Sequence, residues 1–137
     1  MIVLDEQLQS YGVRGPMARW YRGTVLDITQ LRPQTVIRDD AIPMLLHAAR
    51  RPTFVTINVL DFWRRIRPDP RFSIVCVAVP HTQALEVPAL VRRLFRLAPF
   101  RTQHQRLGTV VRVSVQQVQY YTTTPAVIHR MAWPRVR

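Results

Sequence analysis

The chain has 137 residues, with 20 lysine-plus-arginine side chains against 8 acids and a net charge of +12. A single cysteine excludes an internal disulfide framework, and no apolar run approaches the roughly 18 residues of a membrane span. The length suits one domain with a core of its own, so the expectation is a soluble, cytoplasmic protein that makes no membrane contact.

Every one of the 20 is arginine. Exclusive use of arginine is what a GC-rich coding sequence produces, but coding bias does not remove acids. The surplus of positive charge therefore points to a polyanionic partner, either nucleic acid or an acidic protein.

The opening "MIVLDEQL" is a short apolar strand followed by two acids, where a secretory leader would carry positive charge. A short helix is expected after Glu6, a break at Gly12, Gly15 and Pro16, and a further helical turn at 17–21. Residues 24–27 read as a second strand and 28–38 as a loop with extended stretches around Pro33. "DDAIPMLLHAARR" reads as a helix: Ile42, Leu45, Leu46 and Ala49 fall at helical spacing, with Asp39 as N-cap, Pro43 in the first turn and Arg50 and Arg51 at the C-terminal end.

Residues 53–57 are the next strand, and a helix follows through "LDFWRRI", ending before Pro68. Phe62 and Trp63 fit core anchors. "FSIVCVAV" is an almost unbroken apolar β run, as in a strand covered on both faces, and it places Cys76 in the core. A helix opening at Pro88 puts Leu90, Val91, Leu94 and Phe95 on one face and Arg92, Arg93 and Arg96 on the other. "TVVRVSVQQVQYYT" alternates and predicts a late strand or hairpin with one wet face. Residues 1–122 thus form one domain. Residues 123–137 carry Arg130, Arg135, Arg137 and His129 without an acid, and are expected to be a basic tail or docking arm.

Short apolar strands alternating with helices predict an α/β fold with a mainly parallel sheet. Ligands of such sheets bind beyond the carboxyl ends of the strands. Asp5, Glu6 and Asp27 follow strands, Asp39 and Asp40 open a helix, and Asn58 and Asp61 follow the third strand; Asp69 and Glu86 fall in loops. Carboxylates gathered at one edge repel one another, and a divalent cation such as magnesium or manganese relieves that repulsion. Such an ion can stabilise a phosphodiester transition state, with neighbouring arginines, Arg64 and Arg65 first among them, holding RNA phosphates. The plainer alternatives are an N-cap role for Asp39, solvated strand-end positions for Asp5 and Asp61, and a turn or cap role for Asn58.

"MIVLDEQL", "DDAIPMLLHAARR" and "TFVTINVLDFWRR" occur in the order seen in PIN-like nuclease domains. They resemble most the compact bacterial group that opens with a strand and "LDE", then carries a helix-opening Asp and a "T-x-D/N…DF" segment. The resemblance covers about residues 1–80 and implies a three-layer α/β/α fold. It also implies a magnesium- or manganese-dependent ribonuclease, often the toxin of a toxin–antitoxin pair. Asp5, Asp39 and Asp61 match the catalytic, metal-binding acids, with Glu6 and Asp40 as further candidates. Asn58 stands where many members carry another Asp, one residue farther from Asp61 than in the common pattern. The expected partners are RNA and an acidic antitoxin, and self-association into a homo-oligomer is compatible. The alternative is a non-catalytic RNA- or antitoxin-binding protein on the same fold.

Other chemistries find no support. There is no glycine-rich phosphate loop, and His47, His81, His104 and His129 show no zinc spacing with one another or with Cys76.

Overall fold

A computed structural model describes residues 1–33, 37–123 and 127–134. Seven strands form one sheet: β1 (Ile2–Leu4), β2 (Val25–Asp27), β3 (Thr53–Thr56), β4 (Ser73–Val77), β5 (Val110–Val113), β6 (Gln117–Tyr121) and β7 (His129–Ala132). Their order is β2-β1-β3-β4-β5-β6-β7. The first five in space are parallel; β6 pairs antiparallel with β5, and β7 antiparallel with β6. The protein is therefore of mixed α/β class with a mostly parallel sheet.

Among the described residues six short α-helices accompany the sheet: α1 (Glu6–Gln9), α2 (Arg14–Trp20), α3 (Ile42–Ala48), α4 (Val59–Phe62), α5 (Val87–Phe95) and α6 (Gln103–Arg106). The alternating side chains of each strand feed two separate cores. Ile2, Leu4, Val55, Val75 and Val111 pack with Leu8 of α1, Met17 of α2 and the apolar stripe of α5. Val3, Phe54, Ile74, Cys76 and Val110 pack on the other side with Ile42 and Leu46 of α3 and Phe62 of α4. Burial on both sides explains why β1, β3 and β4 are apolar without alternation.

Asp39 does not cap a helix as expected. Asp39–Ala41 form a 3-10 turn, and α3 starts at Ile42 with Ala41 in the N-cap position. Pro43 explains the shift: lacking an N–H, it belongs in the first turn, so the α-helix starts one residue before it. Phe62 is buried in the second core, and Trp63 packs against Tyr121 with ring centroids 5.2 Å apart.

The strand-or-hairpin expectation resolves as a hairpin of β5 and β6. Ser114 shapes its turn, its Oγ accepting from the N–H groups of Gln116 and Gln117 at 3.2 Å each.

The segment read as a basic tail is corrected in part. His129–Ala132 form the seventh strand, so the sheet extends past residue 122. Met131 and Trp133 pack on one core and Ile128 on the other. The indole N–H of Trp133 donates to the Ser114 carbonyl at 2.7 Å, and the Arg93 guanidinium lies 4.3 Å from its ring. Those apolar residues, alternating among the basic ones, outweigh the charge that suggested a solvated tail. Arg135 and Arg137 lie outside the described residues.

Candidate functional site

The chain crosses from β2, on one side of β1, to β3 on the other. A sheet that reverses in this way leaves a crevice beyond the carboxyl ends of the two central strands. Here those strands are β1 and β3, and Asp5 and Asn58 follow them.

The register of β1 and β3 sets Leu4 beside Val55, so the next residues, Asp5 and Thr56, are neighbours on the α3–α4 side of the sheet. The Asp5 backbone N–H donates to the Val55 carbonyl at 2.9 Å and extends the ladder by one residue. Asp5 is buried and also caps α1: one carboxylate oxygen accepts from the Glu6 N–H at 2.7 Å, the other from the Thr56 hydroxyl at 2.6 Å. Burial raises the affinity of the Asp5 carboxyl for a proton above its ordinary value, while the two hydrogen bonds oppose that rise.

Asn58 caps α4. Its carbonyl oxygen accepts from the Asp61 N–H at 3.3 Å, and its amide donates to the Asp61 carboxylate at 2.7 Å. The Asn58 N–H donates to the Thr56 hydroxyl at 2.9 Å. A chain of hydrogen bonds therefore runs Asp5–Thr56–Asn58–Asp61, from the buried end of the crevice to its exposed rim.

Asp39 comes from the opposite wall, on the 3-10 turn before α3. Its carboxyl is raised above the ordinary range by desolvation first, then by the charges of Asp5 and Asp61. The crevice between them encloses about 220 Å³ and is lined by Asp5, Glu6, Gln7, Asp39 and Asn58 over an apolar floor of Ile28, Ile37 and Ile42. Apolar walls lower the local dielectric and strengthen every charge–charge term inside.

The folded chain separates its acids. Asp5, Asp39 and Asp61 share one electrostatic neighbourhood, with Glu6 on the same crevice. Asp40 is exposed beside Asp39 and adds to its charge environment. Asp27 follows its strand but turns to Arg14, 3.8 Å away, and does not line the crevice. Asp69 pairs with His47 at 2.9 Å, which accounts for the exposed face of α3 on which that histidine sits.

Arg64 and Arg65 do not line the crevice. Arg65 borders a different groove with His47 and Asp69, and Arg64 approaches Tyr121, at the amino-terminal ends of the parallel strands. Helix α4 is only four residues long, and the chain beyond it descends along the sheet and carries both arginines away from the acids.

The donor set suits a hard divalent ion in kind: carboxylate oxygens plus a carboxamide oxygen. Each oxygen of Asp5 accepts one hydrogen bond and keeps a further lone pair. The spacing is open, however. Among the described residues no three His, Cys, Asp or Glu side chains are grouped closely enough to share one ion. Thr56, which joins Asp5 to Asn58, is not among the site residues expected from the sequence; its signal there is the threonine of the "T-x-D/N…DF" segment.

No family model, no curated protein and no solved structure matches the chain. Among the described residues no helix is long and apolar enough to cross a membrane.

Proposed function

We propose that this chain is a magnesium- or manganese-dependent ribonuclease on a PIN-like, three-layer α/β/α domain, with Asp5, Asp39 and Asp61 as its metal-binding carboxylates. The observation that carries the reading is the crevice beyond β1 and β3, where Asp5, Asp39 and Asn58, residues distant in the chain, share one lining and Asp61 is hydrogen-bonded to Asn58 at the rim. Carboxylates that disfavour one another's ionisation are relieved by a proton or by a cation.

A bound divalent ion supplies charge to polarise a phosphodiester and stabilise its transition state. The chain's own residues divide the remaining work. Asp5 is the fixed ligand, held by the Glu6 N–H and the Thr56 hydroxyl. Asp39 and Asp61 are exposed ligands at the rim. Asn58 aims Asp61 through the hydrogen bond to its carboxylate, and its carbonyl oxygen keeps a second lone pair toward the crevice rim. Glu6 and Asp40 enlarge the negative edge. The open spacing implies modest affinity for the metal, since binding must draw the carboxylates together.

The test is cleavage of single-stranded RNA. Activity should require added manganese or magnesium and should vanish in Asp5→Asn and Asp61→Asn proteins that remain folded. Equal cleavage by both variants would remove the reading.

One observation favours a second reading, a non-catalytic protein on the same fold that binds RNA or an acidic antitoxin. It is the combination of loosely grouped acids with a net charge of +12. RNA binding without turnover at any metal concentration would select it. Both readings concern a cytoplasmic protein.

A further inference from the structure

Five of the 20 arginines border two neighbouring grooves, neither of which shares a lining residue with the acidic crevice. Helix α3 ends at Ala48, and Arg50 and Arg51 come directly after it. Arg51 occupies the left-handed region at φ 49°, a position after a helix where glycine is the less strained residue. Its carbonyl accepts from the Gln103 side-chain amide at 2.9 Å, which ties it to α6. Thr102 and Gln105 close a capping box at the start of α6 and so present His104 on the same surface. Arg71 arrives from the turn before β4, where its N–H is held by Asp69 at 2.7 Å.

Arg50, Arg51, Arg71 and His104 line one groove of about 690 Å³, and no carboxylate lines it among the described residues. A second groove, of about 400 Å³, holds Arg65 and Arg67. The two meet at the turn 67–71, which contributes Pro70 and Arg71 to one and Arg67, Pro68 and Asp69 to the other. The single acid in this surface, Asp69, is already engaged by His47. Among the described residues none of the five arginines makes a salt bridge.

We infer that these grooves form one track that binds the phosphates of single-stranded nucleic acid. Positive charge spread along consecutive open grooves suits a ligand whose negative charge repeats along a chain, and guanidinium groups suit phosphate oxygens. The second groove adds apolar surface between the charges: the half-buried Pro43 and Ile66 and the strongly exposed Met44 offer van der Waals contact to unpaired bases, while Phe72 beneath them is buried. An acidic protein segment has no bases to place there.

The second groove runs beside α3, through Pro43, Met44 and His47. Ile42, next to Pro43 at the start of that helix, forms part of the floor of the acidic crevice. A strand held on the track therefore heads toward the carboxylates. The inference deepens the RNA reading of that site by naming the strand's path, but its test needs no cleavage.

The experiment is fluorescence anisotropy of a short labelled oligouridylate with the full chain in EDTA, over a range of salt. Arg51→Glu/Arg71→Glu should bind about 10-fold or more weakly, with a log–log salt slope reduced by about 0.7 for each phosphate that is no longer neutralised. Arg92→Glu/Arg96→Glu, on the exposed face of α5, makes the same change in net charge and should bind nearly as the wild type does. Arg51→Gln/Arg71→Gln serves if the glutamate variant fails to fold.

Equal weakening in the two pairs would mean unspecific attraction and would overturn the track, as would wild-type affinity in the Arg51/Arg71 pair. Polyglutamate displacing the oligonucleotide at equal or lower charge concentration would also overturn it, by assigning the surface to an acidic protein. Failure of the nuclease reading looks different: track-dependent binding persists, and manganese brings no cleavage.

Discussion

The hydroxyl of Thr56 donates to the Asp5 carboxylate at 2.6 Å while accepting the Asn58 N–H at 2.9 Å. One fully buried side chain thus joins the end of β1 to the cap of α4. Because its bond to Asp5 favours the ionised carboxylate, Thr56→Val should raise the Asp5 pKa further. A hydrogen bond to a charged group contributes about 1.5–3 kcal/mol, so the variant should lose stability of that order. Urea unfolding and NMR titration of Asp5 check both, and an unchanged Asp5 titration would detach Thr56 from the site.

Asp5 and Asp39 both hold protons more tightly than the ordinary value of 3.8. A carboxyl raised on folding adds stability that is fully present below its unfolded pKa and is lost as pH rises through its folded pKa. These two groups therefore weaken the fold on going from acid toward neutral pH. Asp69 acts in the opposite sense. Burial alone would raise it, but the Arg71 N–H and the His47 ring hold it below 3.8, so its contribution is lost only as pH falls through that depressed value. Melting temperature followed against pH should show Asp39→Asn flattening the decline above pH 3.8. Manganese should restore more stability near neutrality, where the carboxylates are charged, than at acid pH.

Asn58→Asp replaces the amide that donates to Asp61 with a carboxylate that repels it. Without metal the variant should be less stable by about 1–2 kcal/mol, the penalty of a hydrogen bond turned into a like-charge pair. With manganese the sign reverses, because a further negative oxygen ligand should tighten binding about 10-fold. Calorimetric titration and metal-dependent melting measure the two effects, and weaker metal binding would argue that the acids do not act on one ion.

The last strand is held by Trp133 through its hydrogen bond to Ser114 and the guanidinium of Arg93 over its ring. Trp133→Ala should destabilise the protein by about 1–3 kcal/mol. Hydrogen exchange should quicken first at the β6 amides that pair with β7. Unchanged protection there would show that β7 contributes little to the sheet.

Much of this architecture is written locally. The apolar runs of β1, β3 and β4 are strands covered on both faces, and the stripe of Leu90, Val91, Leu94 and Phe95 is the buried side of α5. The carboxyl-edge positions of Asp5, Asn58 and Asp61 follow from the α/β class alone. Less legible is the start of α3, where Asp39 has the character of a cap but Pro43 sets the helix register. The terminal strand is hidden too, because only Met131 and Trp133 share a face and arginine and histidine surround them.

What the sequence determined by itself was therefore the class of fold and the placement of acids near strand ends, since both depend on residues adjacent in the chain. Tertiary structure alone decided which acids meet. The register that sets Asp5 beside Thr56, the pairing that draws Asp27 to Arg14, and the descent after α4 that carries Arg64 and Arg65 away all depend on strand order and element length. Electrostatic coupling falls with distance in space and not along the chain, so only the folded arrangement separates the carboxylates that share a crevice from the arginines that form a track.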